Sequence, residues 1–264
     1  MPYEQGCPKI ALLPVRVIAG MTRFIFAIIA AATLADAAAA LQSNPLRDRL
    51  LRNERQQELS GWYQRADTGA FFLFDRSQSV ALLRERDDPD AEVLVLFANR
   101  APGGGTSFVT DTGREVVRLN PLGGATYFPE DAPGGVIADY ASQAGGLAPA
   151  PRSPEEVRDM AQGLASRFAE ALNRNVAIEY APAPRSGLGV QYDTLIMIDL
   201  ALREVRGERR RLRGLEVINI EMGPEPGVVR EGERLRVTIA PEYGYAGRPS
   251  SDRIARSMLD DDNA

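Results

Sequence analysis

The sequence predicts an α+β protein: an antiparallel meander sheet packed by two main helices, with short helices at the termini. Three observations carry this. Between Trp62 and Phe128, short apolar runs alternate with turn residues, the pattern of consecutive antiparallel strands. Ser153–Asn175 opens Ser-Pro-Glu-Glu and then places Val157, Met160, Ala161, Leu164, Phe168 and Leu172 at steps of three and four. That is a capped helix with proline at its first position and one apolar stripe. Asp193–Arg206 repeats the helical spacing with Leu195, Ile198, Leu202 and Val205 on a wider apolar face, as expected of a well-buried helix. The helix at Ser153–Asn175 is expected to lie as a lid on the sheet.

The chain has 264 residues, 44% apolar and 25% charged, enough for a sizeable core. Its N-terminal part is read as something other than fold. Arg23 precedes the apolar run Phe24–Leu34 and the small-residue stretch Ala35–Ala40, the three regions of a secretory signal peptide. The run falls short of the ~20 apolar residues that a membrane-spanning helix needs. Cleavage is expected near Ala40, with Met21 as the true start and residues 1–20 as an upstream extension. A periplasmic or secreted location follows, with no membrane span after cleavage. Residues 41–60 form a helical arm opened by Asn44-Pro45, 61–130 the meander, and 131–152 a Gly/Pro/Ala-rich linker with a helical turn at Val136–Ala141. Residues 153–264 form a helix-helix-strand-strand part, packed with the meander as one domain. In that last part Val176–Tyr180 is expected as a strand. Leu215–Met222 and Leu235–Ala240 are expected as a hairpin with a long connection, and Arg253–Leu259 as a short helix capped by the serines before it.

Export would change the chemical inventory. It removes Cys7 and Lys9, the only residues of their types, and the chain has no His. What remains is 28 Arg against 34 Asp and Glu, once Lys9, Arg16, Arg23, Glu4 and Asp36 are gone, a net charge of −6. This does not favour nucleic acid as a general partner. Without His, Cys or Lys, the Ser-His-Asp triad, the thiolate nucleophile, the Schiff base and the His/Cys zinc site are excluded. Carboxylate chemistry and oxygen-ligated cations remain. No cofactor is implied.

Three groups of residues are candidates. Asp67-Thr68-Gly69 and Asp111-Thr112-Gly113 lie 44 residues apart and bear a surface resemblance to the paired triplets of aspartic proteases, whose two carboxylates share a proton. The spacing is far too short for two lobes, and D-x-G between strands is also hairpin chemistry, with glycine taking positive φ. Asp67 and Asp111 are the pair to test for a carboxylate-dependent hydrolase. Asp87, Asp88, Asp90 and Glu92 form an acidic loop that lacks the spacing of a calcium loop. Arg203, Arg206, Arg209, Arg210, Arg211 and Arg213 cluster after the second helix and form the binding patch best suited to an anionic envelope component or an acidic envelope protein.

The stretch Tyr243-Gly244-Tyr245-Ala246-Gly247-Arg248-Pro249-Ser250-Ser251-Asp252-Arg253-Ile254-Ala255 is the most distinctive. Together with Leu46–Leu50, Phe72–Ser77 and Leu122–Phe128, it resembles a family of bacterial exported proteins known as a domain of unknown function, number 4908. The resemblance spans most of the exported chain and implies no activity. The expectation is therefore an exported, non-catalytic protein with an envelope binding or scaffolding role. The alternatives are a carboxylate-dependent hydrolase and a small-molecule or lipid-binding module that uses a cavity between sheet and helix.

Overall fold

A computed structural model describes residues 59–86 and 91–260. The stretch expected as a signal peptide, most of the expected N-terminal arm and most of the acidic loop lie outside the described residues. The meander is not an open sheet. Eight strands, β1 (Ser60–Arg65), β2 (Phe71–Asp75), β3 (Ala81–Glu85), β4 (Leu94–Arg100), β5 (Thr106–Val109), β6 (Glu115–Leu119), β7 (Ala125–Tyr127) and β8 (Val136–Gln143), each pair antiparallel with the next, and β8 pairs with β1 to close a barrel. The closing strand runs through the stretch expected as a helical turn at Val136–Ala141. Its own residues signal little, since only Ala138 is buried while Ile137 and Tyr140 face solvent. What makes it a strand is the pair of open edges on β1 and β7, whose N–H and C=O groups need partners.

The alternation within the strands decides which side chains fill the bore. Phe72 and Phe74 on β2 and Leu83 on β3 point inward, where they meet Tyr63, Phe108 and Tyr127. The rings pack closely: Phe72 and Tyr127 have centroids 4.4 Å apart, and Phe74 meets Phe108 edge-on at 5.1 Å. An eight-stranded barrel has just room for such side chains, so the bore is a core.

The second sheet has the order β11-β12-β10-β9, from β9 (Ala177–Tyr180), β10 (Val217–Met222), β11 (Gly227–Glu231) and β12 (Arg234–Ile239). The strand at Val176–Tyr180 is present as β9. The expected hairpin of β10 with β12 is not: the two run parallel, Ile218 beside Leu235 and Ile220 beside Val237. The long connection contains β11, which makes a tight hairpin with β12 across Gly232 at φ 62°. That short local hairpin captures β12 from one side and leaves its other edge to β10.

Three α-helices are described. α1 (Pro154–Leu172) has the anticipated capping box: the Glu156 N–H donates to Ser153 Oγ at 3.2 Å, and the Ser153 N–H donates to Glu156 Oε2 at 2.7 Å. α2 (Leu188–Val205) begins five residues before the expected Asp193. α3 (Ser251–Leu259) is capped by Ser250. The helices do not lie on the meander. Leu164 and Phe168 of α1, Ile198 of α2 and Met258 of α3 pack with Ile220 and Val237 of the second sheet in a core of their own. Burying each such side chain contributes about 1.5–3 kcal/mol. The opposite face of that sheet is polar, with Arg234–Glu179 at 2.7 Å and Arg236–Glu231 at 2.6 Å. A third, smaller core joins the two parts: Leu73, Leu82 and Val93 from the outside of the barrel pack with Leu147 and Tyr245.

Candidate functional site: an arginine-lined cleft and a basic loop

Both Asp-Thr-Gly triplets close hairpins. Gly69 at φ 75° and Gly113 at φ 86° take the left-handed conformation that the turns require. In each, the glycine N–H returns to a carbonyl before the turn, Gly69 to Arg65 and Gly113 to Thr110, both at 3.0 Å. The β1–β2 and β5–β6 turns lie at the same end of an up-and-down barrel, yet the two carboxylates serve separate clusters. Asp67 takes a two-pronged bond from Arg65 at 2.9 and 3.1 Å, and Arg65 also grips Asp131. That guanidinium holds the Asp67 carboxyl below the usual carboxylate range. Asp111 instead accepts from Ser250, at 2.6 Å from the hydroxyl and 3.1 Å from the N–H. No hydrogen bond or ion pair joins Asp67 to Asp111 among the described residues.

The Ser250 contact belongs to a polar junction built from the distinctive C-terminal stretch. At Gly247 an added Cβ would sit 1.9 Å from the Ala240 carbonyl oxygen, so only glycine lets the chain pass there. Arg248 follows with its side chain fully buried. Its guanidinium donates to Asp193 of α2 and, at 2.9 Å, to the Val93 carbonyl. It lies 3.6 Å from Glu92 and over the ring of Tyr245. Ser250 caps α3 by accepting from the Arg253 N–H at 3.1 Å, and Ser251 donates both its N–H and its hydroxyl to Glu92. Asp252 accepts from Thr112 at 2.6 Å and pairs with Arg256 at 2.9 Å. The positive end of α3 thus faces three carboxylates, as the helix dipole favours. Burial pushes the Glu92 carboxyl up, against the pull of Arg248 and Ser251. Burial also opposes ionisation of Asp252, but Arg256 and Thr112 together outweigh it and hold that carboxyl below its ordinary range.

Beside this junction, between the barrel and the helices, lies a cleft of about 460 Å³, within the size range of small-molecule sites. Four arginines line it: Arg84 from the outer face of β3, Arg152 from the approach to α1, Arg167 from α1 and Arg203 from α2. Asp199, only 6% exposed, pairs with both Arg167 at 2.5 Å and Arg203 at 2.7 Å. The Arg152 guanidinium lies 4.2 Å above the Tyr192 ring and pairs with Glu156 at 2.9 Å. Arg84 makes no ion pair among the described residues. Such a set donates hydrogen bonds to carboxylate or phosphate. Among the described residues no group of His, Cys, Asp and Glu is placed to hold a metal ion.

The basic patch divides. Arg203 belongs to the cleft. Arg206, Arg209, Arg210, Arg211 and Arg213 stand exposed on the connection from α2 to β10. The loop beneath them is held from inside: Leu212 and Leu215 are buried, Arg174 donates to the carbonyls of both, and buried Arg230 donates to the Arg211 carbonyl at 3.1 Å. Arg211 itself reaches the Leu259 carbonyl at 2.9 Å. The other four make no ion pair among the described residues. Sequence reasoning missed Arg84, Arg152, Arg167 and Arg248. A signal was present for the partners of two of them: Asp193 and Asp199 interrupt the most apolar of the described helices, and a buried carboxylate requires a cation.

The fold and these sites define a two-part α+β protein, a packed antiparallel barrel joined by a polar junction to a helix-covered sheet. The model of the family described as a domain of unknown function (DUF4908) matches residues 45–258, and the chain belongs to that family. No curated protein and no solved structure matches it.

Proposed function

We propose that the protein is an exported, non-catalytic component of the bacterial envelope that docks through its basic loop on an anionic envelope component. The observation that carries this is the state of Arg206, Arg209, Arg210 and Arg213, exposed on a loop whose carbonyls are pinned by Arg174 and Arg230. Crowding like charges on a fixed loop costs folding free energy that an anionic partner offsets. Export rests on the N-terminal pattern of Arg23, Phe24–Leu34 and Ala35–Ala40. Among the described residues no helix is long and apolar enough to cross a membrane, which fits a peripheral association.

The test uses the chain as recovered from a cell fraction, with its N-terminus sequenced. A periplasmic pool beginning near Leu41 is expected, and retention of Met1 in the cytosol overturns the export reading. Sedimentation with phosphatidylglycerol-containing vesicles is expected to carry the protein down at low salt and release it as salt rises. At about 1 kcal/mol per arginine near an anionic surface, replacing Arg206, Arg209, Arg210 and Arg213 by Ser lowers the affinity roughly a thousandfold. Equal binding to neutral phosphatidylcholine vesicles, or no change in the variant, overturns the docking surface.

A further inference from the structure

The cleft is distinct from the basic loop, and its construction calls for a second ligand. Its arginines come from four places in the sequence, 84, 152, 167 and 203, so their convergence is a product of the tertiary fold and not of one charged helix face. Among the described residues, their positive charge exceeds that of the carboxylates paired with them. Asp193 is taken by Arg248 and Glu156 by Arg152. Asp199 is a single carboxylate for Arg167 and Arg203, and Arg84 has no acidic partner among the described residues. Arg84 and Arg152 line the same cleft as Tyr245, whose ring lies under the Arg248 guanidinium. The rest of the wall is apolar, formed by Val93, Met160, Ile196, Met197 and Leu200. A concave site with a few convergent charges and apolar walls selects a ligand of matching character.

We propose that this cleft binds an organic anion with a carboxylate or phosphate head and a short apolar body, the head held by Arg84 and its neighbouring arginines and the body laid against Met160, Ile196 and Leu200. The barrel contributes Arg84, and the helices with the approach to α1 contribute the remaining cations, so the ligand bridges the two parts and stabilises their union. Arg84 makes no ion pair among the described residues, so its substitution tests binding apart from folding.

The experiment is thermal unfolding of the processed chain with sodium octanoate, octyl phosphate, octanol or inorganic phosphate, at constant ionic strength and below micelle concentrations. A ligand that binds only the folded state raises the melting temperature with concentration. Octanoate or octyl phosphate is expected to do so, the stronger of the two identifying the head group, while octanol and inorganic phosphate have much smaller effects. Arg84→Ala is expected to melt no lower than the native chain without ligand, yet to bind the same probe roughly 10- to 100-fold more weakly, as loss of a hydrogen bond between charged groups implies. The chain lacking Arg206, Arg209, Arg210 and Arg213 is expected to keep the full response, so failure of the docking surface and failure of the cleft are read separately. An Arg84→Ala chain that melts lower but keeps the ligand response makes Arg84 structural and overturns the proposal. So does an octanol response equal to that of the anions, or no response to any probe.

Discussion

The barrel bore is buried, the half-buried junction beside it is centred on buried Arg248, and the two are held together by opposite means. In the bore, Tyr63, Phe72, Phe74, Leu83 and Phe108 pack by shape and ring geometry, with partners on the adjacent strand and across the bore. The Tyr127 hydroxyl adds a polar bond to Glu85 at 2.5 Å. In the junction, Arg248, Glu92, Asp193, Asp111, Ser250 and Ser251 are satisfied by one another across as many as 159 positions of sequence. Apolar burial is non-directional and tolerates repacking. A buried ion network contributes little net stability when intact but costs heavily when one partner is lost. The bore therefore sets how stable the barrel is, while the junction sets where the barrel sits against the helices.

The largest expected effect that tests this contrast is Arg248→Ala. It leaves Asp193 and Glu92 without their buried cation, at a cost of about 3–5 kcal/mol. Because the bore is untouched, denaturant unfolding followed by ring fluorescence and by far-ultraviolet dichroism should separate into two transitions. A single coincident transition would mean that the two parts do not depend on the junction for their mutual placement.

Next in size is Leu83→Ala, which empties a fully buried position in the bore. It is expected to cost about 3 kcal/mol, in the range for buried leucine truncations, with the same loss at low and high salt. A loss that changes with salt would show that the bore is coupled to the ionic junction.

The smallest effect is read as a slope. Burial raises the Glu92 carboxyl above its ordinary 4.5, so the folded state holds that proton more tightly than the unfolded chain. Its contribution to stability is fully present below the ordinary value and is lost as pH rises through the folded one. Glu92→Gln removes this titration. Equilibrium unfolding of both chains between pH 4 and 7 should show the stability difference moving steadily toward the Gln chain as pH rises. A difference independent of pH would assign the junction no proton linkage at Glu92.

Much of this architecture was legible residue by residue. Ser153, Pro154 and Glu156 announce the start of α1, and Val157, Ala161, Leu164 and Phe168 its buried face. The glycines at 69 and 113 mark their hairpins. The Ser-Ser-Asp at the start of α3 announces its cap, although not that Ser250 and Ser251 would also take Asp111 and Glu92. What was not legible lies at longer range. β8 carries one buried residue and becomes a strand only because two edges await it. β12 was expected beside β10 in a hairpin, and a tight turn at Gly232 gives that partnership to β11 instead.

By itself, then, the sequence determined the α+β composition, the capped helices, the hairpin turns and the residue types from which any site must be made, arginine and carboxylate without His. These are encoded in spacings of two to four residues, where sterics, capping and amphipathic burial act locally. The tertiary structure alone decided that the strands close on themselves, that the helices cover a second sheet, and that Arg84, Arg152, Arg167 and Arg203 line one cleft beside buried Arg248. Which edges meet and which charges pair is settled only when the whole chain buries its surface at once, because each buried polar group must then find its partner among whatever the fold has brought near.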